Sequence, residues 1–169
     1  LLACFDESVE QLRSLGATVD LVNRLPSSFA DFAELTGRII FTEGYHHVGH
    51  LCDDPDQPVD EDVRPRILAG KHYSAQEYLS GMAEREAIKR AFDASLADYD
   101  ALLTPTMVTP ALPLDDVDQT GTPAIFTRAV NFLDRCALTV PNGMTHGGLP
   151  SALQIVCARN REDLALRIG

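Results

Sequence analysis

The sequence predicts an α/β protein, and three observations carry that expectation. Leu2, Phe5, Val9, Leu12 and Leu15 recur at helical spacing up to Gly16, after which Ala17-Thr18-Val19-Asp20-Leu21-Val22 alternates as a short strand closed by Pro26. Ser74-Ala75-Gln76-Glu77 forms a capping box that opens a helix to about Tyr99, followed by an apolar strand over Asp100–Thr104 that ends at Pro105. Ala137–Val140 and Ala152–Cys157 read as strands ahead of a final helix capped by Asn160 and carrying Leu164, Leu166 and Ile168. Helices alternating with strands bury their apolar stripes on a sheet.

The remaining elements follow in order. Ser28 is placed to cap a helix carrying Phe29, Phe32, Leu35, Ile39 and Ile40, with Gly37 and Gly44 as weak points. Cys52 to Asp62 holds five aspartates, a glutamate and two prolines and reads as an exposed loop. Val63–Ala69 is a short helix stopped at Gly70. The capped helix places Tyr78, Leu79, Met82, Ile88, Phe92 and Leu96 on its apolar positions. Pro105, Pro110, Pro113 and Pro123, with Gly121, mark a long irregular loop of the kind that is often functional. A mixed segment follows, and Pro141-Asn142-Gly143 and Gly147-Gly148-Leu149-Pro150 read as turns.

Charge and cysteine usage narrow the function classes. Fourteen basic against 25 acidic side chains give a net charge of −11. Nucleic acid and anionic membrane surfaces are therefore poor partners, since both call for a basic face. No apolar run reaches the ~20 residues of a membrane helix, and Asp6 and Glu7 interrupt the apolar start, unlike a signal peptide. Cys4, Cys52, Cys136 and Cys157 are scattered without a C-x-x-C pair, which fits reduced thiols in the cytoplasm. The chain opens in helical phase without Met and its last helix spans barely two turns, so a portion of a longer domain is expected.

No complete catalytic constellation is legible. His46, His47 and His50 form H-H-x-x-H near Cys52, Asp53 and Asp54, but the Glu of H-E-x-x-H is missing and no second ligand cluster completes a site. They read as surface or interface histidines, and no metal or cofactor is expected. There is no G-x-S-x-G, no phosphate-cradling loop and no dinucleotide fingerprint. Lys71 and Lys89, the only lysines, read as solvated side chains, and Cys136 beside Arg135 as a packed small residue.

One ordered series of segments points further. Asp100-Ala101-Leu102-Leu103-Thr104-Pro105-Thr106 precedes Pro110-Ala111, then Phe126-Thr127-Arg128-Ala129-Val130-Asn131-Phe132, then Leu138-Thr139-Val140-Pro141-Asn142-Gly143, and finally Gly148-Leu149-Pro150-Ser151-Ala152-Leu153-Gln154-Ile155-Val156. Arg66-Ile67-Leu68-Ala69-Gly70 and Ser74-x-x-x-Tyr78 stand upstream. Together these resemble the carboxyl-terminal third of the amidase signature family.

The resemblance implies an α/β/α sandwich with a mixed sheet, incomplete in this chain. It also implies hydrolysis of carboxamide C–N bonds through a serine acyl-enzyme. Residues 1–169 then form the carboxyl-terminal portion of an amidase domain. The serine nucleophile, second serine and lysine base of the family lie in a Gly/Ser-rich portion that no position here matches, so no catalytic residue falls in this chain and the chain alone is expected to be inactive. Its expected part is sheet, covering helices and a wall of the substrate pocket, with Thr106, Thr127 and Asn131 as candidate substrate-binding residues.

Asp134-Arg135-Cys136 departs from the family's usual Gly-x-Pro, and Asp134 and Arg135 are expected to pair with each other as a buried structural ion pair, the alternative being that they point at substrate. The expected partners are a small-molecule amide and the remaining amino-terminal amidase portion, with a homodimer open. Two alternatives stand beside this reading. One is a non-catalytic binding or scaffold module that pairs along open sheet edges. The other is the amidase-like component of a glutamyl-tRNA amidotransferase, against which the apolar Pro123-Ala124-Ile125 argues, because that component tends to carry an acidic group there.

Overall fold

β3, Pro150–Cys157, is the middle strand of a three-stranded sheet in the order β1-β3-β2. β1 is Ala101–Pro105 and β2 is Cys136–Met144, and both run antiparallel to β3. The computed structural model describes residues 1–118 and 123–169; Gly121 lies outside them. Six α-helices accompany the sheet among the described residues: α1 (Leu2–Ser14), α2 (Phe32–Asp53), α3 (Arg64–Ala69), α4 (Ala75–Ser95), α5 (Ile125–Phe132) and α6 (Glu162–Ile168). The chain divides into two units, Leu1–Phe29 with Lys89–Gly169, and Ala30–Ile88.

The first unit holds the sheet. Side chains alternate across a strand, so Leu153, Ile155 and Cys157 share one face. There they form a core with Leu164 and Ala165 of α6, packed around by Phe5 and Leu12 of α1 and by Ala101, Leu103, Leu138 and Val140. α1 is tied down from far along the chain: Asn142 Nδ2 donates to the Cys4 carbonyl (3.2 Å) and to Ser8 Oγ (3.0 Å). Asn142 sits where the β2–β3 register shifts, between Pro141 and Gly143. Pro141-Asn142-Gly143 is therefore a bulge inside one strand and not the expected turn. Gly143 adopts φ 138°, and a Cβ there would lie 3.4 Å from Cys4 Sγ, so the extra residue aims the Asn142 amide at α1.

Three further expectations change in this unit. Ala17–Val22 is not a strand: the Ala17 amide bonds back to the Leu12 carbonyl (3.1 Å) at the end of α1, Arg13 Nη2 reaches the Val19 carbonyl (2.7 Å), and no strand among the described residues pairs with the segment. The mixed segment holds a helix, α5, which carries Thr127 and Asn131. α6 starts at Glu162 after Asn160 in a left-handed conformation (φ 60°), so Asn160 turns the chain before the helix and does not cap it.

The second unit is helical. The capping box is formed: the Ser74 amide donates to Glu77 Oε2 (2.7 Å) and the Glu77 amide to Ser74 Oγ (3.2 Å). The Ser74 amide, followed by the Ser74 hydroxyl, which also donates to Glu77 Oε2 (2.7 Å), holds the Glu77 carboxyl below its ordinary value. α2 runs unbroken through Gly37 and Gly44. Tertiary packing outweighs the propensity cost of the glycines: a Cβ on Gly44 would lie 2.9 Å from Ile67 Cδ1 of α3. Arg64 of α3 donates to the carbonyls of Cys52, Asp54 and Gln57 (2.6–2.9 Å), pinning the acidic loop after α2. That loop begins at Asp54, two residues later than its composition suggests.

Candidate functional site

The sheet face opposite the α1–α6 core carries a polar row. In register, Thr104 of β1 stands opposite Gln154 of β3, and Gln154 stands opposite Thr139 of β2. Gln154 is 1% exposed and Thr104 6%, yet Gln154 Oε1 and Thr104 Oγ1 find no hydrogen-bond partner among the described residues. Thr106, one row further on, donates its amide to the Ala152 carbonyl (3.1 Å), and its own Oγ1 is also buried without a partner among the described residues. Thr139 at the other end of the row is exposed. Buried polar atoms are nearly always satisfied in folded proteins, so unsatisfied acceptors on one sheet face mark a place that a further polar group would complete.

The three sequence-predicted residues are distributed between two elements. Thr106 stands at the end of β1. Thr127 and Asn131 stand four residues apart on α5 and so share one of its faces. Thr127 Oγ1 donates to the Ala124 carbonyl (3.3 Å), while Asn131 is exposed. Sequence reasoning missed the Thr104–Gln154–Thr139 row. The signal was a polar residue inside each otherwise apolar strand, but only strand pairing shows that the three are neighbours.

Asp134 and Arg135 do not pair with each other. Asp134, at φ 57°, receives Lys89 Nζ (3.2 Å) and Arg159 Nη1 (2.8 Å), while Arg135 Nη2 reaches Asp93 at 2.6 Å. The left-handed Asp134 turns the two neighbouring side chains toward different partners. Lys89 is accordingly not a solvated side chain: it is drawn against Asp134 and 16% exposed. Lys71 is also engaged. Its Nζ lies 2.5 Å from Asp53 Oδ1 and 5.5 Å from the centroid of the Tyr45 ring, and Tyr45 Oη donates to Asp53 Oδ2 (2.8 Å). The bond to Asp53 raises the Lys71 amine above its ordinary value, the opposite of what an amine base requires.

His46, His47 and His50 are exposed on α2, the first two with ring centroids 5.0 Å apart. Among the described residues no three His, Cys, Asp or Glu side chains are placed to hold a metal ion. No helix among them is long and apolar enough to cross a membrane. All four cysteines are free, and burial, followed by the neighbouring Cys136, pushes the Cys157 thiol up.

Sheet, covering helices and the polar row define part of an α/β domain, and comparison with known proteins gives its class. The Amidase family model matches residues 1–166, so the chain belongs to the amidase family. Among curated relatives, the A-type component of glutamyl-tRNA(Gln) amidotransferase from Geobacter metallireducens is 31% identical over 195 aligned positions, covering 96% of this chain and 39% of that protein. The corresponding component from Haloarcula marismortui is 33% identical over 68% of this chain and 29% of its own length. Among solved structures, a crystal structure of an amidase superposes with a TM-score of 0.82 at 27% identity, over 99% of this chain and 40% of that one. Kluyveromyces lactis allophanate hydrolase, at 23% identity and TM-score 0.79 over 98% of this chain and 28% of that one, shares the fold. The chain spans about 40% of the length of the first curated relatives it matches.

Proposed function

We propose that this chain is the carboxyl-terminal portion of an amidase-type hydrolase that cleaves carboxamide C–N bonds through a serine acyl-enzyme. The observation that carries the reading is the family match over residues 1–166 in a chain that spans 39% of its Geobacter relative. On this reading the nucleophile, the lysine base and the oxyanion donors belong to polypeptide outside residues 1–169. This chain supplies three strands, their covering helices and one wall of the substrate pocket. The polar row supports that role, because Thr104, Thr106 and Gln154 present buried atoms without partners. Thr127 and Asn131 share a face of α5, and on this reading that face contributes to the pocket as well. Reduced cysteines fit a cytoplasmic enzyme.

The test is an amide-hydrolysis assay on the isolated 169-residue chain with an aliphatic and an aryl amide. We expect no turnover and no acyl-enzyme burst. A burst abolished by a serine-directed sulfonyl fluoride would place the nucleophile in this chain and overturn the reading.

A second reading has a specific observation in its favour: the two curated relatives quoted above are components of glutamyl-tRNA(Gln) amidotransferases. Glutaminase activity of the assembled enzyme, together with co-purification of a second polypeptide, would select it. Hydrolysis of simple amides without glutamine release would select the amidase.

A further inference from the structure

Cys136 opens β2 and Cys157 closes β3, and the antiparallel register sets the two directly opposite each other. Residues opposite one another in such a pair share a sheet face. Both thiols accordingly lie on the α6 side: Cys157 inside the core and Cys136 packed against its margin. The Thr106 amide bonds the Ala152 carbonyl, so by alternation Ala152, Gln154 and Val156 direct their backbone groups to β1 and Cys157 directs its own to β2. Cys136 and Cys157 are thus a hydrogen-bonded pair, whose Cα atoms stand about 5.5 Å apart, within the ~4.4–6.8 Å that a disulfide spans. Their Cβ atoms must close by roughly 1 Å to reach bonding geometry. The interior of a ladder would resist that shift, but this pair is its last rung. Asp134 turns the chain just before it (φ 57°) and Asn160 just after (φ 60°), and Arg159 Nη1 already ties the two turns together at Asp134 (2.8 Å).

The two thiols differ in access. Cys157 is 0% exposed, so a small oxidant does not reach it first. Cys136 is half-buried, and its Sγ donates to the carbonyl of Ala158, the residue after Cys157 (3.2 Å). An accessible thiol beside a second one is the arrangement in which a sulfenic acid is resolved as a disulfide. The other cysteines stand elsewhere. Cys4 Sγ donates to the Met144 carbonyl at the far end of β2 (3.5 Å), and Cys52 belongs to α2 in the other unit.

We propose that Cys136 and Cys157 form a reversible cross-strand disulfide when the protein meets hydrogen peroxide. The Cys136 sulfur attacks the O–O bond, takes one oxygen as a sulfenic acid and releases the other as water. The Cys157 sulfur then attacks the Cys136 sulfur: the S–S bond forms, the S–OH bond breaks, and the hydroxyl leaves with the Cys157 proton as a second water. Two thiols lose two electrons and one peroxide gains them. The bond fixes the start of β2 to the end of β3, and a dithiol reductant reverses it. The proposal is independent of the amidase reading.

The test treats the whole polypeptide that carries this sequence with hydrogen peroxide, alkylates the remaining thiols and maps the digest by mass spectrometry, before and after dithiothreitol. A peptide linking Cys136 to Cys157 should be the main oxidised product, and dithiothreitol should return both thiols. Cys136→Ser should abolish the link and leave Cys157 reduced. Cys157→Ser removes the second thiol, so dimedone, which traps sulfenic acids, should label Cys136 at least tenfold more than in the parent. The link in the folded parent is read without either variant. A link from Cys136 to Cys4 or Cys52 instead, oxidation of Cys136 to sulfinic acid in the parent while Cys157 stays reduced, or equal dimedone labelling of the parent and Cys157→Ser overturns the proposal.

Discussion

Gln154 shows what a single residue in this chain reveals. Its carboxamide occupies the middle of the middle strand, and its Oε1 has no partner among the described residues. A buried acceptor left unsatisfied costs about 1–3 kcal/mol. Gln154→Met, of similar length, is therefore expected to stabilise the isolated chain by about 1 kcal/mol in urea denaturation. A loss of stability would mean that the Oε1 is satisfied after all. Asp53 makes the second case. Lys71 first, then Tyr45, hold its carboxyl below the ordinary value. A folded value below the unfolded one of about 3.9 means that the Lys71–Asp53–Tyr45 tie is present above that pH and lost as pH falls through the folded value. The Asp53 carboxyl carbon should titrate below about 3.9 by NMR and return toward it in Lys71→Met; a Lys71→Met curve that overlays the parent's would show that Lys71 does not set the shift.

At the scale of the element, legibility follows locality. The Ser74–Glu77 box opens a helix because donor and acceptor are three residues apart, and the sequence alone shows it. Ala17–Val22 has the alternation of a strand but not the partner that makes one. Pro141-Asn142-Gly143 has the composition of a turn, yet pairing with Ser151 and Ala152 draws it into β2 as a bulge. α5 was hidden by the prolines and glycine before it, although Phe126, Ala129, Val130 and Phe132 keep helical spacing. The candidate site divides the same way: Thr106, Thr127 and Asn131 could be named from motifs, whereas the row through Gln154 exists only once three distant strands are in register.

Close helix approach gives a prediction at this scale. A Cβ on Gly70 would overlap the Phe41 carbonyl of α2, and a backbone atom cannot move aside as a side chain can. Gly70→Ala is expected to cost about 1–3 kcal/mol by thermal or urea denaturation. Gly147→Ala, where the nearest atom is Thr145 Oγ1 at 4.0 Å, should stay within about 0.5 kcal/mol. Equal costs at the two positions would refute the packing argument.

At the scale of the molecule, the α/β expectation stands, and the sheet that was expected to be mixed has three antiparallel strands among the described residues. The order β1-β3-β2 also carries a timetable. The central strand is the last of the three to be made, and the contacts that fix α1 join residues 134 and 138 positions apart. A ribosome adding roughly 5–20 residues per second needs several seconds to go from β1 to β3. Over that interval β1 and β2 have no neighbour in the sheet, and α1 lacks the β3 part of the face it packs on. Nascent chains stalled before Pro150 should therefore show protease-sensitive β1 and β2 segments, while the α2–α3 region, part of the separate unit Ala30–Ile88, already resists cleavage. Resistance of β1 in such a chain would mean that the sheet starts from some other pairing.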